Sequence, residues 1–407
     1  MSITRSRLPP TTLWVLVAAA GTFALTMGAR QSMGLFVGTL NTSTGLGIAS
    51  ISLAFAFGQL WWGLTQPLAG LVADRVGAGR VVFAGVVLVA IGTAMVPYMH
   101  STAGLIFAIG VVAAGGAGMA GPSVLMAATT RLVPPERRGM ATGIVNAVGS
   151  FGQFVFAPIA QGVTAAAGWA ASLQTLAFLS LLALPAAFVL RGAPPAAASG
   201  TPRIGARAAI ATALRDPSYR MLCAGFFVCG FHIAFIATHL PGVVAACQLP
   251  PEIGAWSLAV IGLFNIVGSF AMGWAVGRWR MKSLLALVYA ARAVAVLVFM
   301  LAPKTPAVML AFAAVIGLTY LSTVPPTAGL VAKFFGADNM ATLFGIVMLA
   351  HQLGGFLGAY LGGKAFEWTG SYDWMWYADI VLAVGAALVH LPIREARLAP
   401  RVAAANA

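Results

Sequence analysis

The chain has 407 residues, of which 60% are hydrophobic and 8% charged, and its mean hydropathy is +0.93. These values exclude a soluble globular protein and indicate a polytopic membrane protein, because roughly 18–20 consecutive apolar residues suffice to cross a bilayer. The net charge of +14 is also found in nucleic-acid-binding proteins. In a membrane protein, however, basic residues set the orientation, so no DNA or RNA partner is expected.

Twelve apolar stretches predict transmembrane helices, which we call spans 1 to 12 in chain order. Continuous runs of Ala, Leu, Val and Gly favour helices over β-barrel strands, whose residues alternate. The predicted fold class is an all-α polytopic protein of two pseudo-symmetric six-helix bundles. The spans are 13–37, 48–72, 79–98, 103–127, 139–165, 169–190, 219–245, 254–277, 283–302, 306–330, 340–364 and 372–392.

The Lys and Arg residues predict the orientation. Nineteen of the 23 fall in segments on one side of the twelve spans, the opposite side holds Lys304 and Lys364, and Arg30 and Arg292 lie within spans. By the positive-inside rule, both termini are cytoplasmic. We therefore expect a multi-pass protein of the bacterial inner membrane.

Span 1 contains Arg30 well inside an apolar run. A charge at the bilayer centre costs roughly 2.5–3.5 kcal/mol, so such a residue usually faces a cavity or a partner. The planar guanidinium of Arg30 matches a carboxylate in two parallel hydrogen bonds, which predicts an anionic ligand. The alternative is a structural arginine that binds helix-end carbonyls or extends outwards. Arg5 and Arg7 before the run also suit a secretory signal, but the run continues to Val37 and is long enough to span.

The loop after span 2 reads Gly70-Leu-Val-Ala-Asp74-Arg75-Val-Gly77. Glycine permits close helix packing and a tight turn, and Asp74 suits a helix N-terminus or an arginine. The pattern resembles the Gly-x-x-x-Asp-Arg-x-Gly loop of the major facilitator superfamily of secondary transporters. The resemblance implies that Gly70, Asp74, Arg75 and Gly77 form a conformational lock. In the second half Gly277 stands at the acidic position, so that lock is expected to be weaker or differently made.

The chain divides into two similar halves. The start of span 5, Met140-Ala-Thr-Gly-Ile-Val, matches the start of span 11, Met340-Ala-Thr-Leu-Phe-Gly-Ile-Val, and parallel repeats of this kind are typical of transporters. Between the halves, a stretch rich in Ala, Pro, Gly and Arg lacks helical patterning and predicts a linker. The predicted divisions are an N-terminal half, 1–190, a cytoplasmic linker, 191–217, a C-terminal half, 218–393, and a cytoplasmic tail, 394–407.

Three histidines lie inside spans. His232 and His239 are two helical turns apart on one face of span 7, and His351 is near the middle of span 11. Because the pKa of histidine lies near physiological pH, His232 and His351 are candidates for proton coupling and for substrate binding. The alternative for each is hydrogen-bonded packing. No Cys or carboxylate spacing accompanies them, so neither a metal site nor a cofactor is expected.

Uncharged polar residues complete the candidate substrate site. Asn146 and Gln153 lie two turns apart on span 5, Tyr320 lies on span 10, and Gln59 and Asn265 lie on spans 2 and 8. Each can hydrogen-bond a carboxylate, although polar residues also hold membrane helices together.

Arg292 on span 9 and Asp379 on span 12 lie on helices that the superfamily resemblance places at the back of a half. We expect a structural ion pair between them, because pairing satisfies both charges inside the protein. The alternative is that Arg292 faces the cavity.

A looser resemblance is to bacterial monocarboxylate-transporter-like members of the superfamily. It implies small organic anions as substrates and a cavity lined by spans 1, 4, 7 and 10 and bordered by spans 2, 5, 8 and 11, within reach of Arg30, His232 and His351. The segments that carry it are Gly28-Ala-Arg30-Gln-Ser32-Met-Gly34-Leu-Phe36, Phe264-Asn265-Ile-Val-Gly268-Ser, Tyr289-Ala-Ala-Arg292, Ser322-Thr-Val-Pro325-Pro326 and His351-Gln352-Leu-Gly354-Gly355-Phe.

Together these patterns predict a secondary active transporter of small organic anions, monocarboxylates in particular, that alternates access by rocking of its halves. The sequence has no phosphate-binding loop, so catalysis is not expected and the driving force is a gradient, used in proton symport or anion exchange. A monomer is expected. The alternatives are efflux of hydrophobic drugs or metabolites, favoured by 16 Met and 10 Trp, and a transporter-like nutrient sensor.

Overall fold

The computed structural model describes residues 10–132, 138–191, 206–335 and 340–396. Within these ranges every regular element is a helix, and eleven helices are long and apolar enough to cross a membrane. A twelfth helix, Asp373–His390, coincides with predicted span 12 and is less apolar because it carries Asp373 and Asp379. The predicted all-α, multi-pass fold is thereby confirmed.

The N-terminal half contains spans 1 to 6, and several of them are interrupted. Span 1 passes through a 3-10 turn, and span 4 contains a π-helical stretch and a break before a proline. The bounds are Pro10–Ser32, Met33–Phe36 and Val37–Thr44 for span 1; Ile48–Val76 for span 2; Ala78–Met95 and Val96–Tyr98 for span 3; Thr102–Leu105, Ile106–Ala113, Ala114–Met119 and Pro122–Leu132 for span 4; Arg138–Ala167 for span 5; and Trp169–Leu181 and Leu184–Val189 for span 6.

The C-terminal half contains spans 7 to 12. Span 10 is broken at the position that corresponds to the break in span 4, again just before proline residues. The bounds are Pro217–Ala246 for span 7, Pro251–Val276 for span 8, Met281–Leu301 for span 9, Pro306–Thr319 and Val324–Phe335 for span 10, Met340–Thr369 for span 11 and Asp373–His390 for span 12.

Part of the predicted linker is helical. The expected stretch without helical patterning, 191–217, contains the helix Ala206–Arg215, while 192–205 and most of the tail lie outside the described residues. Ala and Arg are strong helix formers, and the fully buried Ala213 packs this helix against the core of the C-terminal half. Asp216 then starts span 7 as its N-cap, accepting a hydrogen bond from the Tyr219 amide at 3.0 Å.

The helices pair in the same way in both halves. Span 1 packs along span 5 and span 7 along span 11; span 2 packs on span 4 and span 8 on span 10; span 3 packs on span 6 and span 9 on span 12. This repeated packing follows the repeat seen in the sequence. The halves meet where span 1 contacts span 7, span 2 contacts span 11 and span 5 contacts span 8.

Glycines let the paired backbones touch. A Cβ atom on Gly152 would overlap the carbonyl oxygen of Ala24, and one on Gly354 would overlap the carbonyl oxygen of Phe227. The two glycines occupy equivalent positions of spans 5 and 11 in the sequence repeat. Small residues at such contacts are a common means of packing membrane helices, because dispersion forces act only at close approach.

We predict that Gly354→Ala destabilises the protein by about 1–3 kcal/mol, the usual cost of overpacking. The added methyl group has no space between spans 7 and 11. Gly385→Ala is the matched control, because a Cβ there meets no atom within 4 Å. Thermal unfolding of the purified, detergent-solubilised variants measures the difference. Equal melting temperatures for the two variants would contradict the described contact.

Candidate functional site

Arg30 occupies the centre of the N-terminal half, near the end of the first helix of span 1. Its guanidinium lies 4.7 Å from the centroid of the Trp62 ring and donates to the side-chain oxygen of Gln59. A longer hydrogen bond, at 3.5 Å, reaches the side-chain oxygen of Gln31. All three partners are neutral. Within the described residues no acidic side chain pairs with Arg30.

A cavity of about 50 Å³ adjoins this arginine. A single water needs about 10–15 Å³ on the same measure, so the cavity holds a few water molecules or a small ligand. Its polar side chains are those of Arg30, Gln31, Gln59, Thr93 and Thr238, and span 7 closes one side with Ala237 and Thr238. The remaining wall is mostly apolar. A concave apolar pocket with few polar groups is the usual form of a small-ligand site.

A second, smaller cavity lies in the C-terminal half. Its volume is about 10 Å³, enough for about one water molecule. It is lined by His232 of span 7, Arg292 of span 9, Tyr320 of span 10 and Asp379 of span 12, together with aliphatic side chains. The His232 Nε2 atom is 3.5 Å from Oδ1 of Asp379. Asp379 is 1% exposed and His232 3%, so the pair is shielded from solvent.

The predicted direct ion pair between Arg292 and Asp379 is not formed in the described structure. Arg292 instead donates to the carbonyl of Thr319 and to that of Tyr320, at 2.7 Å. These carbonyls lie where the first helix of span 10 ends. A helix end leaves carbonyls without intrahelical donors and carries a partial negative charge. Arg292 supplies hydrogen-bond donors for these carbonyls and a positive charge that offsets the partial negative charge. Asp379 lies beside His232 instead.

Tyr320 connects the two cavities. It lines the smaller one, and its hydroxyl donates to the Ile233 carbonyl at 3.3 Å. Span 7, which carries Ile233, also lines the larger cavity with Ala237 and Thr238. Of the predicted site residues, His232 and Tyr320 therefore line the smaller cavity and Arg30 the larger one, and span 7 contributes to both.

The other two histidines lie elsewhere. His239 is hydrogen-bonded through Nε2 to the Ala359 carbonyl at 2.7 Å, which is a packing role. His351 packs against Phe226 of span 7, with ring centroids 4.9 Å apart and the rings tilted by 46°. It lines neither described cavity. The expected approach of His351 to the cavity of Arg30 is thus not seen, because its helix face turns towards span 7.

The polar residues of span 5 also lie outside the two cavities. Gln153 packs where span 5 meets Gly262 of span 8, and neither it nor Asn146 lines a described cavity. Asn265 has a clearer role at this contact. It donates to Ser150 of span 5 at 2.9 Å and accepts from the Leu321 amide in the break of span 10 at 3.1 Å.

Most of the loop predicted after span 2 is helical, because Gly70 to Val76 continue the helix of span 2. Gly77 makes the tight turn that was expected: its φ is +92°, a conformation that favours glycine, and it directly precedes span 3. Gly70 has open space around it, and Arg75 is exposed. The side chain of Asp74 lies outside the described part of the structure, so the proposed lock stays a prediction.

The corresponding link in the second half is made by another residue. Glu395, beyond span 12, accepts from the Lys282 amide at 2.7 Å and from the Lys333 ammonium group at 3.3 Å. It thereby joins the beginning of span 9 to the end of span 10. A carboxylate at a helix N-terminus is favourable, and the weaker or differently made lock expected around Gly277 stays a prediction.

A family model decides the relationship. The model of the Major Facilitator Superfamily matches residues 18–359 and, in a second alignment, 222–406. The chain belongs to this superfamily. The superfamily assignment covers both described halves and agrees with the sequence resemblance; it makes the protein a transporter with two six-helix halves.

Relatives within the superfamily cover nearly the whole chain at low identity. An uncharacterized MFS-type transporter of Bacillus subtilis (strain 168), YcxA, is 23% identical over 90% of this chain and 91% of its own length. Monocarboxylate transporter 13 of Bos taurus is 24% identical over 94% and 91%. Monocarboxylate transporter 11 of Mus musculus is 26% identical over 90% and 84%.

We predict that Arg292→Met destabilises this facilitator severely. The two carbonyls at the break of span 10 would lose a charged donor, and each unsatisfied buried group costs about 1–3 kcal/mol. Arg80→Met is the control, because Arg80 is exposed. Yield of monodisperse protein and thermal unfolding measure the effect. A wild-type melting temperature for Arg292→Met would contradict the role given to this arginine.

Proposed function

We propose that the protein is a secondary active transporter of small organic anions, monocarboxylates in particular. The observation that carries this proposal is the environment of Arg30. A permanently charged guanidinium faces a cavity and is bonded to neutral amide oxygens, with no acidic partner among the described residues. An incoming carboxylate supplies the missing negative charge.

The chemistry of the cavity favours an anion over other substrates. Charge-assisted hydrogen bonds from arginine to carboxylate are stronger than neutral ones and fix orientation through two parallel contacts. A cation would be repelled by Arg30, which disfavours cationic drugs as substrates.

The volume of the cavity and the names of two relatives also favour a small carboxylate as the substrate. A cavity of about 50 Å³ suits a short carboxylate better than a bulky hydrophobic compound. Two of the relatives are called monocarboxylate transporters, which supports the same substrate class here.

Alternating access would operate at the three contacts between the halves. Spans 1 and 7, 2 and 11, and 5 and 8 would part on one side of the membrane while they close on the other. The gradient is that of a proton, in symport, or of a counter-anion, in exchange. We place the protein in the bacterial inner membrane as a monomer with both termini in the cytoplasm, following the basic residues.

Uptake into proteoliposomes tests the anion role. With acetate, pyruvate, L-lactate and benzoate as probes, Arg30→Gln should lower uptake at low substrate concentration by roughly 10–150-fold. This range corresponds to the loss of about 1.5–3 kcal/mol for a hydrogen bond to a charged group. Arg30→Lys should retain part of the activity, because it keeps the charge but not the planar fork.

Arg80→Gln provides the control, since it removes an exposed arginine outside both cavities. Unchanged uptake by Arg30→Gln would refute the anion role. Transport of neutral or cationic hydrophobic compounds that is indifferent to Arg30→Gln would favour the efflux alternative instead.

A further inference from the structure

We propose that the buried pair His232 and Asp379 binds the proton that is coupled to anion transport, and that Tyr320 connects this proton site to the anion site at Arg30. This inference rests on the proposed function. It names a proton as the coupling ion. It also gives Asp379 of span 12 a role in transport in place of the structural role expected from the sequence.

The first support is the state of the carboxylate. Asp379 is the one acidic side chain that is buried among those described, and neither of its oxygens has a hydrogen-bond donor within the described structure. The nearest base is the Nε2 atom of His232, at 3.5 Å, which is likewise unbonded. Buried polar groups are normally satisfied, so a pair left open beside a cavity the size of one water is suited to accept a proton.

The second support is the charge of the surroundings. Arg292, 2% exposed, faces the pair from span 9 and supplies one fixed positive charge. Its guanidinium also lies 3.5 Å from Cys229 and 5.4 Å from the ring of Tyr289, and the hydroxyl of Tyr289 is committed to the Gly225 carbonyl at 2.6 Å. With Tyr320 on span 10, these are the titratable and charged groups around the pair. The negative charge of the Asp379 carboxylate balances the positive charge of Arg292. The imidazole of His232 can then take up an additional proton and share it with Asp379.

The third support is the path between the sites. Tyr320 belongs to the broken segment of span 10, and Arg292 holds its carbonyl at 2.7 Å. Its hydroxyl donates at 3.3 Å to the Ile233 carbonyl of span 7, the helix that also lines the anion cavity. A charge change at the pair therefore acts on the residues that hold Tyr320, and through it on the anion cavity. An anion at Arg30 and a proton at the pair have opposite charges. Loading both leaves the net charge of the moving protein unchanged, which avoids the cost of carrying charge through a low-dielectric medium.

The test compares two modes of transport in proteoliposomes with the four acids named above. Wild type should accumulate its substrate when the outside is more acidic, and should also exchange labelled for unlabelled substrate at equal pH. Asp379→Asn and His232→Gln should lose accumulation driven by the pH gradient and retain exchange, which needs no net proton movement. Glu252→Gln and His100→Gln, both at exposed positions, should keep both modes.

Retention of pH-driven accumulation in Asp379→Asn and His232→Gln would overturn the proposal. Loss of both accumulation and exchange in folded variants would also overturn it, since the pair would then serve structure or substrate binding. Infrared difference spectra of the substrate-free protein between acidic and neutral pH give an independent reading. A carboxyl or imidazole band should change with pH in wild type and disappear in the variants.

The infrared measurement also separates the two proposals. Absence of that band in wild type would overturn the proton site whatever the substrate. If the band is present but none of the acids is transported, the proposed substrate class fails, while the proton site is upheld.

Discussion

An interrupted helix inside a bilayer exposes carbonyl groups that lipid cannot hydrogen-bond, so the protein itself must supply donors. Span 10 has such an interruption between Pro306–Thr319 and Val324–Phe335. Arg292 binds the carbonyls on one side of the break, and Asn265 accepts from an amide within it. The position of Tyr320, and with it the proximity of the two cavities, depends on this satisfied break.

The two halves share a fold but differ in their polar groups. The N-terminal half presents an arginine bonded to neutral amides, whereas the C-terminal half contains a cluster of His232, Arg292 and Asp379 with nearly balanced charge. Both polar sites lie close to the surface where the halves meet. A symmetric scaffold therefore holds two chemically different sites, which we propose serve an anion and a proton, and neither half contains both.

The sequence was sufficient for the spans and the repeat, because these depend on hydropathy and on helix order, and the cost of a buried charge singled out Arg30 as a candidate. The sequence was not sufficient to predict which residue lies beside Asp379. Depth along a span can be counted, but the direction of a side chain around the helix axis depends on breaks and twists elsewhere. Proline disfavours an unbroken helix, so Pro325 and Pro326 agree with the break in span 10. That a distant arginine would bind the carbonyls before them has no local signal. For the same reason, the sequence did not predict that the His351 side chain packs against Phe226.

The contact between spans 1 and 7 has a thermodynamic consequence. At Gly34 the two backbones touch so closely that a Cβ would overlap the Ala237 carbonyl oxygen, so at this point a glycine meets a small alanine. Separating small residues uncovers little apolar area, at about 25 cal/mol per Å². This point of contact therefore adds little to the free-energy cost of parting the two spans. A carrier needs contacts of this kind between its halves, because a ligand can redistribute two conformations only when their energies are nearly equal.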